Sequence, residues 1–222
     1  MLKSSTIKFL KDLRKNNNKP WFEKHRGDYE EAKSDYSNLI QIIIDKHGKK
    51  DTGIAHLQPK DCLFRINRDV RFSKDKSPYK SNMGAYFNEE GKKSNLSGYY
   101  IHIEPGQSFA GGGLWMPMPA DLAKIRQEID YNLDAFRKII HARKFKNIFG
   151  GLLRNEEYAL TRVPKGYEAD NPAAEYLKLK SFVAKMPLTD SDLTSKELVK
   201  KVLTAFQTLQ PLLVFMNESI RG

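Results

Sequence analysis

Cysteine is nearly absent from this sequence, which has one, Cys62, among 222 residues. A single thiol excludes an intrachain disulfide and a cysteine-rich zinc site. Apolar runs are also short, because the richest, residues 39–44, is far below the roughly 20 residues that a membrane-spanning helix needs. The N-terminal segment is charged throughout and lacks the apolar stretch of a secretory signal peptide. We therefore expect a cytoplasmic protein that does not associate with membranes.

The chain has enough apolar material to bury a core. Hydrophobic residues make up 40% of the sequence and aromatic residues 11%, a composition that excludes global disorder. A length of 222 residues is typical of one large domain or two small ones. No repeat, low-complexity linker or clear boundary interrupts the sequence, so we expect a single domain over residues 1–222.

Positive charge is concentrated in two segments of this basic protein, whose formal net charge is +11. Residues 65–80 contain six Lys or Arg against two Asp, a net charge of +4. Residues 137–165 contain eight Lys or Arg against two Glu, a net charge of +6. Concentrated positive charge attracts anions, which favours an anion-binding protein. The alternative is a pair of solvated basic loops that only aid solubility.

Helical periodicity appears in five segments. Apolar residues recur at helical spacing and predict helices over residues 4–15, 20–48, 119–140, 173–179 and from about 194 onward. Thr194 and Glu197 have the spacing of a capping box for the last helix, and Pro211 should kink or restart it. Residues 147–172, rich in Gly and Pro, predict an irregular segment.

A period of two predicts the strands. Apolar and polar residues alternate over residues 62–72, 82–88 and 99–104, as in strands with one buried face. Residues 109–115 predict a fourth strand with three consecutive glycines, and residues 181–188 an edge strand. Helices flank one central block of strands, so the predicted fold class is α+β, with a mainly antiparallel sheet flanked by helices.

Polar side chains of two predicted strands point to one candidate site. If both strands lie in one sheet, Arg65, Asp69 and Arg71 share a face with His102 and Glu104. Guanidinium groups bind carboxylate or phosphate in bidentate fashion, and a histidine can transfer protons near neutral pH. The predicted catalytic residues are Asp69, His102 and Glu104. The predicted ligand-binding residues are Arg65, Arg68, Arg71, Lys74, Lys76, Tyr79, Lys80, Tyr86 and Tyr100.

Other interpretations of the same residues stay open. A solvated outer sheet face with cross-strand charge pairs would have the same pattern. A metal on His102, Glu104 and Asp69 is disfavoured because neighbouring arginines repel a cation, and no metal is predicted. Residues 111–113 allow close backbone approach or strand curvature, and no Gly-Lys-Ser/Thr follows them, so they are not a phosphate-binding P-loop. No cofactor is expected.

Several strings together resemble one protein family. Residues 65–80, RINRDVRFSKDKSPYK, are similar to the signature of a bacterial family of conserved hypothetical proteins, the domain of unknown function DUF2461. Further matches lie within residues 9–22, 98–105, 112–115, 164–167 and 172–177. The resemblance covers about residues 7–216 and implies one domain and a bacterial, intracellular origin. It implies no activity and no catalytic residue. Asn171 departs from the pattern, which has His before Pro172.

Three functional hypotheses follow from the residues. The first is a binding protein or enzyme for a small molecule that carries phosphate or carboxylate, with the arginines and Lys80 as anion ligands. The second is a nucleic-acid-binding protein that uses both basic segments, with Tyr79, Tyr86 and Tyr100 stacking on bases. The third is a partner-binding scaffold without catalysis, which would need an exposed apolar patch.

Overall fold

The structure is a computed structural model that describes residues 1–154 and 157–222. The irregular segment predicted over residues 147–172 includes two residues, 155–156, outside the described part, and Glu156 of the charge count is one of them. The helices in the described part are α1 (Ser4–Lys15), α2 (Lys19–Lys24), α3 (Arg26–His47), α4 (Pro59–Cys62), α5 (Pro119–Tyr131), α6 (Leu133–Ile140), α7 (Arg143–Phe149), α8 (Ala174–Leu177), α9 (Asp190–Leu193) and α10 (Leu198–Arg221), with a 3-10 turn at Thr52–Ile54.

Four strands of the described part form one antiparallel sheet. They are β1 (Met83–Phe87), β2 (Gly98–Ile103), β3 (Phe109–Leu114) and β4 (Phe182–Pro187), in the spatial order β1-β2-β3-β4. Each coincides, to within one residue at either end, with a segment whose sequence predicts a strand. Helices and an antiparallel sheet confirm the predicted α+β class.

The strand predicted over residues 62–72 is wrong. The segment forms only isolated bridges, between Leu63 and Ala85 and between Asn67 and Tyr79. Its apolar positions do not share a buried face, because Phe72 is 96% exposed. Side chains bond locally instead, and the carboxylate of Asp69 accepts from the backbone N–H of Arg71 at 3.3 Å. Such bonds compete with a strand ladder and favour a loop.

Two predicted helices are each divided in two by a residue with non-helical backbone angles. His25 separates α2 from α3 and has φ −108° and ψ 23°. Its Nδ1 lies 2.8 Å from the carbonyl oxygen of Trp21 in the preceding turn. Asn132 separates α5 from α6, and its side chain donates to Glu128 at 2.8 Å. Polar side chains that bond to the last helical turn commonly mark such ends.

The last helix also departs from the prediction. A capping box is present, but it joins Thr189 and Asp192 at the start of α9 rather than Thr194 and Glu197. The last helix, α10, begins at Leu198 and is continuous through Pro211. Pro211 lies on the exposed side of α10, where water can bond to the backbone carbonyl that a proline leaves unpaired.

The three glycines of β3 allow its neighbours to approach closely. A Cβ atom at Gly111 would lie 2.3 Å from the carbonyl oxygen of Ala184, and one at Gly113 would lie 2.0 Å from that of Phe182. On the other side, a Cβ at Gly112 would lie 2.4 Å from the carbonyl oxygen of Gly98. Close approach of the neighbouring strands therefore explains the three consecutive glycines. The atoms that approach them belong to the protein backbone.

The chain divides into two compact units. Unit 1 contains Met1–Lys92, Tyr100–Ala110 and Pro187–Thr204, and unit 2 contains Lys93–Tyr99, Gly111–Met186 and Ala205–Gly222. In unit 1, α1 packs against α3 and contributes the fully buried Leu10 and Leu13. In unit 2, α5 packs against α6 and α8. The single domain that the sequence predicts over residues 1–222 stays a prediction.

Candidate functional site

Three side chains at the end of β2 form a hydrogen-bonded group, the polar row, consisting of Tyr100, His102 and Glu104. The Tyr100 hydroxyl lies 3.2 Å from Nδ1 of His102, and Nε2 of the same ring lies 2.9 Å from Oε2 of Glu104. Alternate residues of an extended chain point to one face. The structure thus brings together the three residues that the sequence places on one strand face.

The surroundings of His102 favour one arrangement of its hydrogens. The ring stacks on Phe109, with 5.0 Å between centroids. Burial raises the pKa of Tyr100 to about 12, and the charge of Glu104 adds to the shift. The phenol is therefore protonated at neutral pH and can donate to Nδ1. In the neutral form of the ring, this leaves Nε2–H to donate to the Glu104 carboxylate.

Glu104 connects the polar row to two further side chains. Its Oε1 atom accepts from Nη2 of Arg14 at 3.0 Å and from the Ser81 hydroxyl at 3.3 Å. Arg14 also donates to the carbonyl oxygen of Pro105 at 3.1 Å. The Glu104 side chain is 17% exposed, so its charge is partly buried and partnered by a cation. Displacement of the Glu104 carboxylate would therefore break the hydrogen bonds of Arg14 and Ser81.

Arg14 and Ser81 also line a pocket, the unit-1 pocket, of about 280 Å³. The residues that line it come from the end of α1, the following loop and residues 68–82: Arg14, Asn17, Arg68, Asp75, Ser77, Tyr79, Lys80, Ser81 and Asn82. Three of them are cations and one is an acid. The pocket therefore has a local excess of positive charge.

Arg68 and Asp75 form an ion pair at this pocket. Arg68 also donates to the Ser73 hydroxyl at 3.3 Å. Hydrogen bonds from Ser77 and Arg68 lower the pKa of Asp75 well below its ordinary value of 3.8. Asp75 is therefore an anion at neutral pH, and it leaves part of the Arg68 guanidinium available to a ligand.

Lys80 has no carboxylate partner within the described residues. Its ammonium group lies over the ring of Phe64, 5.6 Å from the centroid. Burial lowers the pKa of Lys80 below 10.5, and the nearby charge of Arg65 lowers it further. Both causes disfavour the charged form of Lys80, and an anion bound beside the ammonium group would offset their free-energy cost.

The loop between α1 and α2 positions one wall of the unit-1 pocket. The side-chain amide of Asn17 donates to the carbonyl oxygen of Tyr79 at 2.8 Å and accepts from its backbone N–H at 3.1 Å. The Tyr79 ring stacks on Phe22 with 4.0 Å between centroids and is 6% exposed. Tyr79, predicted to stack on a base, is covered by the protein itself.

Two predicted residues, Asp69 and Arg71, pair with each other at the surface. Arg71 donates to the two carboxylate oxygens at 3.0 and 2.6 Å, and hydrogen bonds from Arg71 lower the pKa of Asp69. In the described chain, Asp69 has no contact with His102 or Glu104. The shared sheet face that the sequence predicts for Asp69, His102 and Glu104 is therefore wrong, because residues 62–72 are not a strand.

The remaining predicted ligands also lie outside the unit-1 pocket. Arg65 and Lys74 are exposed and form no hydrogen bond or ion pair with the described residues, whereas Lys76 donates to the carbonyl oxygen of Val70 at 3.0 Å. Tyr86 is half-buried in β1, and burial raises its pKa to about 12. Of the predicted set, Arg68, Tyr79 and Lys80 line the pocket.

Sequence reasoning missed Arg14, Asn17, Ser81 and Asn82. Arg14 is separated from Glu104 by 90 positions, and no local pattern joins them. A weaker signal lies in the three consecutive asparagines at residues 16–18, which follow the helix predicted over residues 4–15. Asn18 accepts from the backbone N–H of Trp21 at 3.0 Å and caps α2, so consecutive asparagines there have separate roles.

Residues able to bind a metal do not cluster in the part of the chain that the structure describes, where no group of three His, Cys, Asp or Glu has suitable geometry. Among these same residues, every helix is too short or too polar to cross a membrane.

Asn171, which stands where the family pattern has His, has a structural role. Its Oδ1 atom accepts from the backbone N–H of Ala173 at 2.6 Å, just before α8, and its Nδ2 donates to Asp130 at 2.7 Å. The side chain thus joins the start of α8 to α5.

Comparison with known proteins gives a family and no activity. No curated protein matches the sequence, and no solved structure matches it either. The model of the family that residues 65–80 resemble matches residues 5–215, which is almost the whole chain. The chain belongs to the family of conserved hypothetical proteins DUF2461, a domain of unknown function.

Proposed function

We propose that the unit-1 pocket binds a small molecule through a phosphate or carboxylate group. The observation that carries this proposal is the ammonium group of Lys80, which lines the pocket and has no carboxylate partner among the described residues. A half-buried cation without a counter-ion costs free energy, and a bound anion offsets that cost.

The other groups of the unit-1 pocket suit the same ligand. Arg68 shares its charge with Asp75, and Arg14 shares its charge with Glu104, so both guanidinium groups are oriented before a ligand arrives. Guanidinium and ammonium groups together favour oxyanions with several acceptor oxygens. A volume of about 280 Å³ suits a small metabolite rather than a large cofactor, since ligand pockets commonly start near 300 Å³.

Acid–base chemistry on a bound molecule would fall to the polar row. His102 and Glu104 form a continuous hydrogen-bonded path that reaches the pocket-lining Ser81 and Arg14. A proton can move along such a path in either direction. Asp69, which the sequence groups with these residues, lies exposed in its pair with Arg71. We therefore assign proton transfer, if the bound molecule reacts, to His102 and Glu104.

Nucleic-acid binding remains the alternative hypothesis, and it makes a different prediction. Residues 65–80 belong to unit 1, whereas residues 137–165 belong to unit 2. Binding across both segments would release many counterions and weaken steeply with salt. A small anion in a pocket contacts few cations, so its affinity should fall less steeply with salt concentration than that of a nucleic acid.

Thermal unfolding in the presence of ligands tests the proposal. The panel contains inorganic phosphate, small phosphorylated and carboxylated molecules and a short single-stranded oligonucleotide, each at low and moderate salt. A ligand at a hundredfold excess over its dissociation constant should stabilise the protein by about 2.7 kcal/mol. We expect a small anion to stabilise wild type, and Lys80→Ala and Arg68→Ala to lose this effect.

The matched control is Lys74→Ala, which removes an exposed cation of the same loop that does not line the pocket. It should retain the full stabilisation. Equal stabilisation of wild type, Lys80→Ala and Lys74→Ala would refute the pocket. Stabilisation by the oligonucleotide alone, lost at moderate salt, would favour nucleic-acid binding.

A further inference from the structure

Unit 2 contains a cavity of about 310 Å³, the unit-2 cavity, that no sequence motif indicates. It lies between the ends of α6 and α7, the turn that follows α7, and α8. Its polar lining consists of His141, Lys146, Arg154, Glu175 and Tyr176. None of these residues belongs to the unit-1 pocket or to the polar row.

Among the described residues that line the unit-2 cavity, the cations outnumber the acid. Arg154 forms an ion pair with Glu175 at 2.5 Å, and this contact lowers the pKa of Glu175. Lys146 forms no ion pair or hydrogen bond within residues 1–154 and 157–222. The cavity therefore carries one positive charge that no described carboxylate neutralises, even when His141 is neutral.

A phenol–imidazole pair supplies further donors. The Tyr176 hydroxyl lies 3.1 Å from Nε2 of His141. Burial raises the pKa of Tyr176, so the hydroxyl stays protonated at neutral pH and can donate to Nε2. In that tautomer a neutral His141 carries its hydrogen on Nδ1, which is a second donor. The arginine beside this pair also lies over the tyrosine ring, with 5.1 Å from Cζ of Arg154 to the centroid.

The turn after α7 keeps one side of the cavity open. Gly150 ends α7 with φ +71°, and Gly151 follows with φ +150°. A Cβ at Gly150 would meet no atom within 4 Å, and one at Gly151 would lie 3.9 Å from Nζ of Lys146. The ammonium group therefore lies beside backbone without side chains, where a ligand can approach the lysine closely.

We propose that the unit-2 cavity is a second oxyanion site, which binds a phosphate group through Lys146, Arg154 and His141. An ammonium group, a guanidinium group and an imidazole N–H match the several acceptor oxygens of a phosphate. The net positive charge favours a phosphate monoester over a neutral ligand. This site and the unit-1 pocket share no lining residue.

Titration with inorganic phosphate, followed by amide chemical shifts in NMR spectra, tests this site. The backbone amides of Gly150 and Gly151 are local reporters. We expect both to shift with a saturating dependence on phosphate, and Lys146→Ala to weaken the binding by about tenfold or more, as for a lost charge-assisted hydrogen bond. A sugar phosphate should give the same pattern if the group recognised is the phosphate.

The matched control is Lys144→Ala, which removes an exposed lysine of α7 that does not line the cavity. It should bind phosphate like wild type. Lys80→Ala should leave the Gly150 and Gly151 shifts unchanged, which separates this site from the unit-1 pocket. Glycine amides that do not move, or that move equally in the Lys146 and Lys144 variants, would overturn the second site without affecting the first.

Discussion

The side chain of Asn17 hydrogen-bonds to both backbone polar groups of Tyr79, at 2.8 Å to the carbonyl oxygen and 3.1 Å from the N–H. This bidentate contact resembles one step of strand pairing, made by a side chain. On the opposite edge, the backbone N–H of Arg68 donates to the Pro78 carbonyl at 2.9 Å, and that of Lys80 donates to the Ile66 carbonyl at 2.8 Å. Residues 78–80 are therefore bonded on both edges.

Asn17→Ala should destabilise the protein by about 1–3 kcal/mol, because it leaves both backbone groups of Tyr79 without this partner. Chemical denaturation measures the change in the free energy of unfolding. The control is Asn16→Ala, whose exposed side chain donates only to the carbonyl oxygen of Asp12. Its cost should be about 0.5 kcal/mol. Equal losses of unfolding free energy in the two variants would contradict the role of the Asn17 contact with the Tyr79 backbone.

Glu104→Gln should move a hydrogen on His102. Oε1 of Glu104 accepts from Arg14 and Ser81, so the glutamine oxygen should stay there and its NH2 group should face Nε2. Nε2 must then accept, and the ring hydrogen moves to Nδ1. Nitrogen-15 NMR of the neutral ring distinguishes the two tautomers, with His141 as an internal reference. Retention of hydrogen on Nε2 in the variant would show that the polar row is not coupled in this way.

Gly113→Ala should be among the most damaging single substitutions in β3. The added Cβ would lie 2.0 Å from the carbonyl oxygen of Phe182, at φ +124°, so the paired strands must separate. We expect a loss of about 4 kcal/mol or more in unfolding free energy, or no folded protein. Gly91→Ala is the control, since its φ is +83° but its Cβ meets nothing within 4 Å. It should cost about 1–2 kcal/mol, and a similar small cost at Gly113 would refute the close approach.

The carboxylate of Asp192 should stabilise the fold except at strongly acidic pH. Hydrogen bonds from Lys201 and from the backbone N–H of Thr189 lower its pKa from 3.8 to about 2. The folded state thus favours the carboxylate, and this stabilisation is present above pH 3.8 and lost as pH falls through about 2. The difference in unfolding free energy between wild type and Asp192→Asn should be largest above pH 4 and shrink toward pH 2.

Denaturant titrations across this pH range measure the Asp192 contribution. The control is Asp170→Asn, an exposed aspartate with no hydrogen bond or ion pair within the described residues. Its difference from wild type should stay small at every pH. A difference for Asp192→Asn that does not depend on pH would show that the carboxylate is not preferentially charged in the folded state.

The strands were predictable because one buried face imposes a period of two. In β2, Tyr99, Ile101 and Ile103 are buried, whereas Tyr100 and His102 point to the other face. The same alternation failed in residues 62–72. An alternating pattern states which side chains would share a face in a strand, but it cannot state whether local side-chain bonds will replace the ladder.

The site was predictable only where its members lie close in the sequence. Tyr100, His102 and Glu104 are alternate residues, so one strand brings them together. Arg14 reaches Glu104 from helix α1, and that contact depends on how α1 packs. A distant partner leaves no pattern of its own in a single sequence, and the arginines that were expected beside Glu104 belong to a loop instead.

The dependence of residues 66–80 on side-chain bonds has a consequence for tolerance to substitution. A strand can exchange many residues, because its backbone provides the hydrogen bonds whatever the side chains are. Here Asn17, Arg68 and Asp75 provide bonds that few other residue types can make. In a library of single substitutions, we therefore expect this irregular segment to accept fewer changes than the outer positions of the sheet.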